Sequence, residues 1–531
     1  MKKIIIFLLI ILSAFAISCK DKTVSDSIVV NMGAEPKTMD PTLNSISVVS
    51  VYIIHAFEGL TKLDSNNNVV GAVAEGWFIS DDGLKYTFHL RTNAKWSDGK
   101  PITANDFEYS WKRTVNPNVA AEYAYMMEVV KNAKEINAGI MDYNNLGVKA
   151  IDDYTLEVIL ENPTAYFLEF IASTGIFMPV RKDIIETYKD EWTLNPETYI
   201  GNGPYKMTER LADQKIVFSA NTNYYSKEEQ IAKEITFIIM SDPNTAVAGL
   251  KNGTIHFSAL EPPAAEIENL KSEGYIAANY GLGTYYLELN ITNEALKDKR
   301  VRQALALAID RNYIVSNVTK GGQIPAGAFV PTQVRGSNGT FRSESGDYID
   351  INNYEENIKK AKSLMAEAGY PNGENYPILE LKVSPGIYVL VGEAIQQMWK
   401  DNLNITVQLI IEDFPITLQS LIEKNYQLSR MGWTGDYNDP MTMLDVMLSY
   451  GGINHSGFAN ANYDRLILMA KQSPDNKVRM DAMRQAESIL MDEMPIIPLY
   501  YRADALMINP KLKGVVLNPL GRHKFNYCYI E

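Results

Sequence analysis

The residue types that most often perform catalysis are few and scattered in this chain. Its 531 residues include only five histidines and two cysteines, and no two histidines are spaced to share one face of a helix. The zinc-protease motif HExxH, the phosphate-binding glycine loops and the GxSxG nucleophile turn are all absent. The 64 acidic residues guarantee chance pairs of carboxylates, so no single pair indicates a catalytic site. We therefore predict a protein that is not an enzyme and needs no cofactor.

One acidic segment has some of the oxygen ligands of a calcium-binding loop. Asp64 begins an Asn-rich run, and Glu75 follows eleven residues later. The sixth position of such a loop should be glycine but is Val69 here, so we expect a polar turn between two strands. Cys19 and Cys528 are too few for a structural zinc site or a disulfide framework. We predict no metal site.

The first residues have the pattern of an export signal. Lys2 and Lys3 precede an apolar run from residue 4 to residue 17, which is shorter than the roughly 20 residues of a transmembrane helix. Ala16-Ile17-Ser18-Cys19 resembles a bacterial lipobox, with Ala16 where leucine is usual. We expect residues 1–18 to be a lipoprotein signal peptide and Cys19 to carry the lipid anchor. An ordinary secretory signal with an incidental cysteine is the alternative.

Charge and composition exclude several classes of protein. The chain has 50 basic and 64 acidic residues, a net charge of −14, and no basic cluster to neutralise phosphates, so we predict no nucleic-acid partner. Apolar residues make up 46% and charged residues 21%, which are ordinary globular values. No segment after the signal is long and apolar enough to predict a membrane-spanning helix.

Residues 354–411 contain the clearest pattern of secondary structure. Apolar periodicity and a glycine stop at Gly369 predict, in order, a helix over 354–368, a strand over 379–383, a helix over 388–401 and a strand over 405–409. A strand, helix and strand at this spacing form a βαβ unit with parallel strands. The fold class predicted is therefore α/β.

Other segments add to this pattern. Residues 84–90 and 154–158 alternate as half-buried strands. Thr103 is predicted to cap the start of a helix, with Asp106 completing a variant of the capping box. A second long helix is predicted over about 298–318, ending before a pair of glycines.

Several motifs have a more specific pattern. They are FEGL at 57–60, KWSDGKPITANDF at 95–107, the glycine turn IGNGPY at 200–205, RMGWTGDYNDP at 430–440 and PLYYR at 498–502. In this order they resemble family 5 of the extracytoplasmic solute-binding proteins, which serve peptide ABC importers, and most of all its oligopeptide-binding branch. The resemblance extends over essentially all of residues 27–531.

The resemblance implies a three-lobed periplasmic-binding-protein-like fold (class II, cluster C) with a ligand cleft between two main lobes. Lobe I would combine residues 19–50, 178–282 and 505–531, lobe II would be an insert over 51–177, and lobe III would be 283–504. The two crossings between lobes I and III would form a hinge. It also implies a monomeric, lipid-anchored receptor outside the cytoplasm, with short peptides and ABC permease subunits as partners.

Two charged residues match the ends of a peptide ligand. The resemblance assigns the peptide ammonium group to Asp436, since a buried carboxylate is tolerated when a cation arrives; a structural turn aspartate is the alternative. It assigns the carboxyl end to Arg430, whose planar guanidinium suits a carboxylate; an interlobe salt bridge is the alternative. The further positions that match the family's ligand pocket are Trp433, Phe414, Tyr286, Glu288, Tyr123, Gly432 and Asn454.

The sequence also departs from the family pattern. Phe414 replaces a tryptophan, Ser45 an acidic residue and Leu421 an arginine. The positions associated with the carboxylates of longer peptides are Tyr388 and Thr319. The ammonium anchor is thus retained, whereas the carboxylate end differs. Two further functions remain open at this point: a receptor for a metal chelate, sugar or haem, and a surface adhesin or sensor on the same scaffold.

Overall fold

The structure is a computed structural model that describes residues 25–263 and 265–531. The predicted signal peptide and Cys19 lie outside these residues. Within them, no helix is long and apolar enough to cross a lipid bilayer.

The strands fall into one large sheet and three small ones. In chain order they are β1 (Ser27–Asn31), β2 (Thr61–Leu63), β3 (Val69–Gly71), β4 (Ala74–Ile79), β5 (Lys85–Leu90), β6 (Val148–Asp152), β7 (Thr155–Ile159), β8 (Tyr205–Leu211), β9 (Lys215–Ala220), β10 (Glu234–Ile238), β11 (Phe257–Ser258), β12 (Ile276–Leu289), β13 (Ile324–Pro325), β14 (Leu379–Val383), β15 (Val407–Ile411), β16 (Leu428–Thr434), β17 (Ile496–Ile508), β18 (Leu512–Lys513) and β19 (Tyr529–Ile530).

The α-helices pack around these sheets. They are Ser47–Ala56, Ala104–Val115, Ala133–Asn137, Phe167–Ser173, Lys182–Tyr188, Pro243–Asn252, Ile267–Ser272, Lys299–Leu307, Arg311–Tyr313, Phe341–Ser345, Tyr354–Glu367, Ile387–Leu403, Phe414–Ile422, Met441–Leu444, Ala461–Gln472 and Asn476–Glu493.

The large sheet has the order β15-β14-β16-β12-β17-β11-β1-β10-β9-β8, with β13 paired to β17. Its two long central strands, β12 and β17, are antiparallel. Both run across the predicted boundaries between lobes I and III, and their pairing is irregular between Tyr280 and Thr284. The sheet contains both parallel and antiparallel pairs of neighbouring strands, as in a mixed α/β protein.

The insert predicted over residues 51–177 has its own four-stranded sheet, β4-β5-β7-β6. Tyr86, Phe88 and Leu90 are buried on one face of β5, and Leu156 and Val158 are buried on β7. The two predicted strands are therefore confirmed, and they pair antiparallel.

Two large aromatic rings in the core keep a hydrogen-bond partner for their indole N–H groups. The indole of Trp111 donates to the carbonyl of Phe177 at 2.9 Å, and that of Trp399 donates to the carbonyl of Leu305 at 2.9 Å. Both rings are fully buried. Burial of such rings stabilises the fold only because the N–H groups keep a partner.

The predicted βαβ unit is confirmed. The helix Tyr354–Glu367 ends before Gly369, which has a positive φ of 97°. β14 and β15 pair in parallel, joined by the helix Ile387–Leu403. β15 lies two residues later than predicted.

The single helix predicted over 298–318 is wrong. The helix Lys299–Leu307 stops, and Asp310 caps a new turn by accepting the N–H of Tyr313 at 2.9 Å. Buried Arg311 fixes the break by donating to the carbonyls of Pro498 and Ala306 at 2.8 and 3.0 Å. Apolar periodicity predicted a continuous helix because it does not register such a tertiary contact.

Two smaller predictions hold. The capping box is present: the N–H of Thr103 donates to Asp106 at 2.8 Å at the start of Ala104–Val115. Asp64 accepts two backbone N–H groups, both at 2.8 Å, in the turn between β2 and β3. Cys528 is a free, buried cysteine, and burial raises the pKa of its thiol.

Candidate ligand-binding site

Two adjoining cavities contain several of the predicted site residues. The aspartate cavity, named for Asp436, has a volume of about 400 Å³. The arginine cavity, named for Arg430, has a volume of about 370 Å³. Trp433 lines both, so the two cavities share part of their wall.

The aspartate cavity lies between the insert and residues 433–471. Tyr125 and Tyr166 line one side, while Asp436 and Tyr437 line the other. The rings of Tyr166 and Tyr437 stack with centroids 4.5 Å apart and an interplanar angle of 7°. Two distant parts of the chain therefore build this cavity, and their relative position determines its shape.

The carboxylate of Asp436 has no ion-pair partner in the described chain, whereas its acidic neighbour does. Asp445, which lines the same cavity, pairs with Lys471 at 3.2 Å. Burial raises the pKa of Asp436, nearby Asp445 raises it further, and Arg522 partly offsets the rise. The backbone N–H of Asp436 donates to Thr442 at 3.0 Å. A half-buried carboxylate that is held in place and has no ion-pair partner attracts a cation.

The arginine cavity contains a guanidinium group between aromatic rings. The Cζ atom of Arg430 lies 3.6 Å from the ring centroid of Tyr388 and 5.5 Å from those of Tyr285 and Phe414. Its Nε is buried without a hydrogen-bond partner among the described residues. A second cation, Arg502, lines the same cavity. This cavity therefore suits an anion such as a carboxylate.

Gly432 is needed for close packing in this wall. It pairs with Tyr285 across β16 and β12. A Cβ at position 432 would lie 3.0 Å from the ring of Tyr285. A side chain there would push against the Tyr285 ring, one of the three rings around the Arg430 guanidinium. Trp433 follows with its indole N–H donating to the carbonyl of Thr442 at 2.6 Å.

Two of the four predicted residues that line neither cavity are buried in the interior. Tyr286 is buried, with its ring edge-on to that of Phe329 at 5.5 Å. Glu288 is also buried and accepts the N–H of His455 at 3.1 Å, and burial raises its pKa to about 8. Tyr285, which sequence analysis missed, lines the arginine cavity instead. Alternation along β12 could have indicated it, since neighbouring residues face opposite sides.

Tyr123 and Asn454 lie next to the aspartate cavity without lining it. The ring of Tyr123 is edge-on to that of Tyr125 at 5.9 Å, and burial and then Asp436 raise its pKa. The side chain of Asn454 donates to the carbonyls of Phe458 and Met447 at 2.8 and 3.3 Å. In this structure Asn454 holds the loop that supplies lining residues such as Ile453.

One further residue was not predicted at all. Arg522, from the C-terminal segment, is close enough to Asp436 and Tyr123 to change their pKa values. No local pattern in the sequence indicates it, because its neighbours in the fold come from remote parts of the chain.

Comparison with known proteins accounts for this arrangement. Residues 68–455 match the family model of the bacterial extracellular solute-binding proteins, family 5. The chain belongs to this family. OppA, the oligopeptide-binding protein of Bacillus subtilis, is 32% identical over 518 residues, which cover 96% of this chain and 94% of OppA. DppE, a dipeptide-binding protein of the same organism, is 33% identical over 510 residues, covering 94% and 92%.

Solved structures show the periplasmic-binding-protein-like α/β fold for this family 5 member. The unliganded open form of MppA, a periplasmic murein tripeptide binding protein, matches with a TM-score of 0.86 at 32% identity, covering 95% of this chain and 97% of that one. OppA of Haemophilus influenzae in complex with RPPGFSPFR matches with a TM-score of 0.73 at 30% identity, covering 95% and 99%. At similar identity, the structure is thus closer to the open form.

Proposed function

We propose that this family 5 protein is a lipoprotein receptor, anchored through Cys19, that captures short peptides outside the cytoplasm and delivers them to an ABC importer. It acts as a monomer and performs no covalent chemistry. The relatives named for oligopeptides, dipeptides and murein peptides support the ligand class. The lobes of the receptor are those predicted from the sequence, with β12 and β17 as the hinge.

The observation that carries the proposal is the unpaired carboxylate of Asp436. A peptide with a free amino terminus offers an ammonium group, and a nearby cation offsets the free-energy cost of a buried negative charge. Asp445, the other acidic residue on that side, is already neutralised by Lys471. Asp436 is therefore the acidic residue of this wall that still has its charge available for a ligand.

The arginine cavity supplies the opposite charge. Arg430 is held over the Tyr388 ring, so its guanidinium is oriented before any ligand arrives, which lowers the entropy cost of binding. Trp433 separates the two charges and offers an aromatic wall to side chains. A peptide lying across Trp433 would place its ammonium group on Asp436 and its carboxyl end near Arg430.

The experiment is calorimetric titration of Ala-Ala-Ala and its N-acetylated form into protein that begins after Cys19. We expect the acetylated peptide to bind poorly. Replacing Asp436 with asparagine should weaken binding of the free peptide by about 2–5 kcal/mol. Asp401→Asn, on the exposed face of the helix Ile387–Leu403, is the matched control and should bind normally. Equal affinity for free and acetylated peptides would contradict the anchor.

A second candidate is a receptor for a non-peptide solute. A relative from Escherichia coli, named as a probable deoxycholate-binding protein, is 31% identical over 494 residues, covering 92% of this chain and 90% of that protein. Native mass spectrometry of the purified protein distinguishes the two. A series of short peptide adducts supports the peptide receptor, whereas a single bile-salt adduct supports the alternative.

A further inference from the structure

A third, smaller cavity lies beside the aspartate cavity and has unpaired polar groups on its wall. This junction cavity, of about 50 Å³, is formed where the C-terminal segment meets the N-terminal helix and the insert. The side chains used in the argument below are Glu58, Lys62, Ser173, Arg522, Lys524 and Asn526. Its volume would hold a few water molecules or one carboxylate group.

Most charges around the junction cavity are already paired. Lys62 lies 3.2 Å from Glu58 and 2.8 Å from Glu229. Lys524 donates to the carbonyl of Leu63. Three cations (Lys62, Lys524 and Arg522) therefore face two carboxylates, which leaves one positive charge in excess.

Lys524 and Arg522 both lack an ion-pair partner among the described residues, and Arg522 also lacks hydrogen-bond acceptors. Its Nε and Nη1 are both buried and have no hydrogen-bond partner in the part of the chain that the structure describes. Ser173 Oγ and Asn526 Oδ1, on the same cavity wall, also have none among those residues. Buried guanidinium nitrogens without acceptors are costly, so native proteins supply an acceptor from water or a ligand.

Arg522 also adjoins the proposed ammonium anchor. It lines the junction cavity, and its charge acts on Asp436 and Tyr123 at the aspartate cavity. The guanidinium at the wall of the junction cavity is therefore within electrostatic range of the carboxylate proposed to bind the peptide ammonium group.

We propose that Arg522 binds an acidic side chain near the amino terminus of the peptide, so that the receptor favours Asp or Glu close to the ammonium group. This inference rests on the proposed function. The acidic side chain gives the guanidinium its missing acceptor and balances the excess charge. Arg522 is therefore a specificity-determining residue that Asp436 and Arg430 do not replace.

The first test uses the unaltered protein sequence after Cys19. Tripeptides of alanine that carry Glu or its isostere Gln at position 1, 2 or 3 are compared by calorimetric titration in chloride-free buffer. We expect Glu to bind at least about tenfold more tightly than Gln at position 1 or 2, as for a charge-assisted hydrogen bond. Equal affinities for Glu and Gln at both positions would overturn the inference.

The second test removes the cation. Arg522→Gln should abolish the preference for Glu over Gln, because the preference is a ratio within one variant and any effect of Arg522 on Asp436 acts on both peptides alike. Arg522→Lys should retain part of the preference. Arg465→Gln, at an exposed helical position, is the control. Persistence of the preference in Arg522→Gln would also overturn the inference.

A third test determines whether Arg522 binds a free anion or a peptide side chain. If chloride or acetate raises the melting temperature of the unaltered protein but not of Arg522→Gln, and Glu and Gln peptides bind equally, the site holds a free anion and the inference fails. If Ala-Ala-Ala and all the other peptides fail to bind, both the Arg522 inference and the proposed function fail. Equal binding of Glu and Gln peptides removes the Arg522 inference alone.

Discussion

At the scale of single residues, three carboxyl groups that are partly or fully buried have three different environments. Asp445 is paired with Lys471, Asp436 is unpaired at a cavity wall, and Glu288 is in the interior with one oxygen lacking any partner among the described residues. A paired carboxylate stabilises a fold little, an unpaired one at a cavity is available to a ligand, and an interior one binds a proton.

The interior Glu288 gives a pH dependence with a definite sign. Burial raises its pKa from 4.5 to about 8, so the folded protein binds one more proton than the unfolded chain between these values. Its contribution to the free energy of unfolding therefore falls as pH rises from about 5 to 8, by up to about 1.4 kcal/mol per pH unit.

Replacing Glu288 with glutamine should remove this loss of unfolding free energy at higher pH. We expect the difference in unfolding free energy, Glu288→Gln minus the unaltered protein, to increase between pH 5 and pH 8. Urea unfolding at several pH values measures it. The substitution Glu423→Gln at an exposed position is the control. Its plot of unfolding free energy against pH should run parallel to that of the unaltered protein. Parallel curves for Glu288→Gln would show that Glu288 is already ionised in the folded protein.

The aromatic support of Arg430 leads to a second prediction at this scale. Free and C-terminally amidated tripeptides differ in the charge that Arg430 is proposed to bind. We expect the free form to bind more tightly, by roughly 1.5–3 kcal/mol. In Arg430→Gln the two forms should bind alike, whereas the exposed substitution Arg465→Gln should keep the difference. An unchanged ratio in Arg430→Gln, measured by calorimetry, would assign the carboxyl end to another group such as Arg502.

At the scale of elements, one tight contact fixes the glycine turn against the first helix. A Cβ at Gly201 would lie 2.0 Å from the carbonyl oxygen of Ala56, at the end of the helix Ser47–Ala56. The neighbouring Asn202 accepts the N–H of Glu58 at 2.9 Å and donates to its carbonyl at 2.8 Å. The turn therefore positions Glu58 at the junction cavity.

The contact predicts that an alanine substitution destabilises the protein at Gly201 but not at a glycine in open space. Gly201→Ala should lower the free energy of unfolding by at least about 1–3 kcal/mol, since backbone atoms cannot move aside as a flexible side chain can. Gly76→Ala is the control, because a Cβ there meets nothing within 4 Å, and it should be close to neutral. Chemical denaturation measures both variants, and equal stabilities would mean that the helix end is free to shift.

At the scale of the whole molecule, the structure is nearer to an open, unliganded relative than to a peptide complex, with TM-scores of 0.86 and 0.73. The aspartate cavity lies between two parts of the chain, so motion about the proposed hinge at β12 and β17 would change its width. Ligand binding favours whichever state contacts the ligand on both sides.

If the protein closes on its ligand, it should become more compact when a peptide binds. Ala-Ala-Ala at saturating concentration should decrease the radius of gyration measured by small-angle scattering. At 100 times its dissociation constant, it should also raise the free energy of unfolding by about 2.7 kcal/mol. Asp436→Asn at the same peptide concentration should show neither effect, and Asp401→Asn should show both. Stabilisation without compaction would mean that the structure already has the closed arrangement.

Local sequence determined much of this protein. Alternation of apolar residues predicted β5 and β7, and the glycine stop predicted the end of the helix Tyr354–Glu367. The Thr103 cap predicted the start of the helix Ala104–Val115. These features depend on residues a few positions apart. The specific motifs near Lys95–Phe107 and Arg430–Pro440 also sufficed to indicate the family.

Tertiary structure alone decided the rest, because the deciding contacts join remote segments. The break at 308–310 depends on Arg311 reaching Pro498. Tyr285, rather than Tyr286, lines the cavity because of how β12 pairs with β16. Arg522 becomes a candidate ligand contact only where the C-terminal segment meets Asp436. No pattern of neighbouring residues encodes which distant groups remain unpaired after the chain has folded.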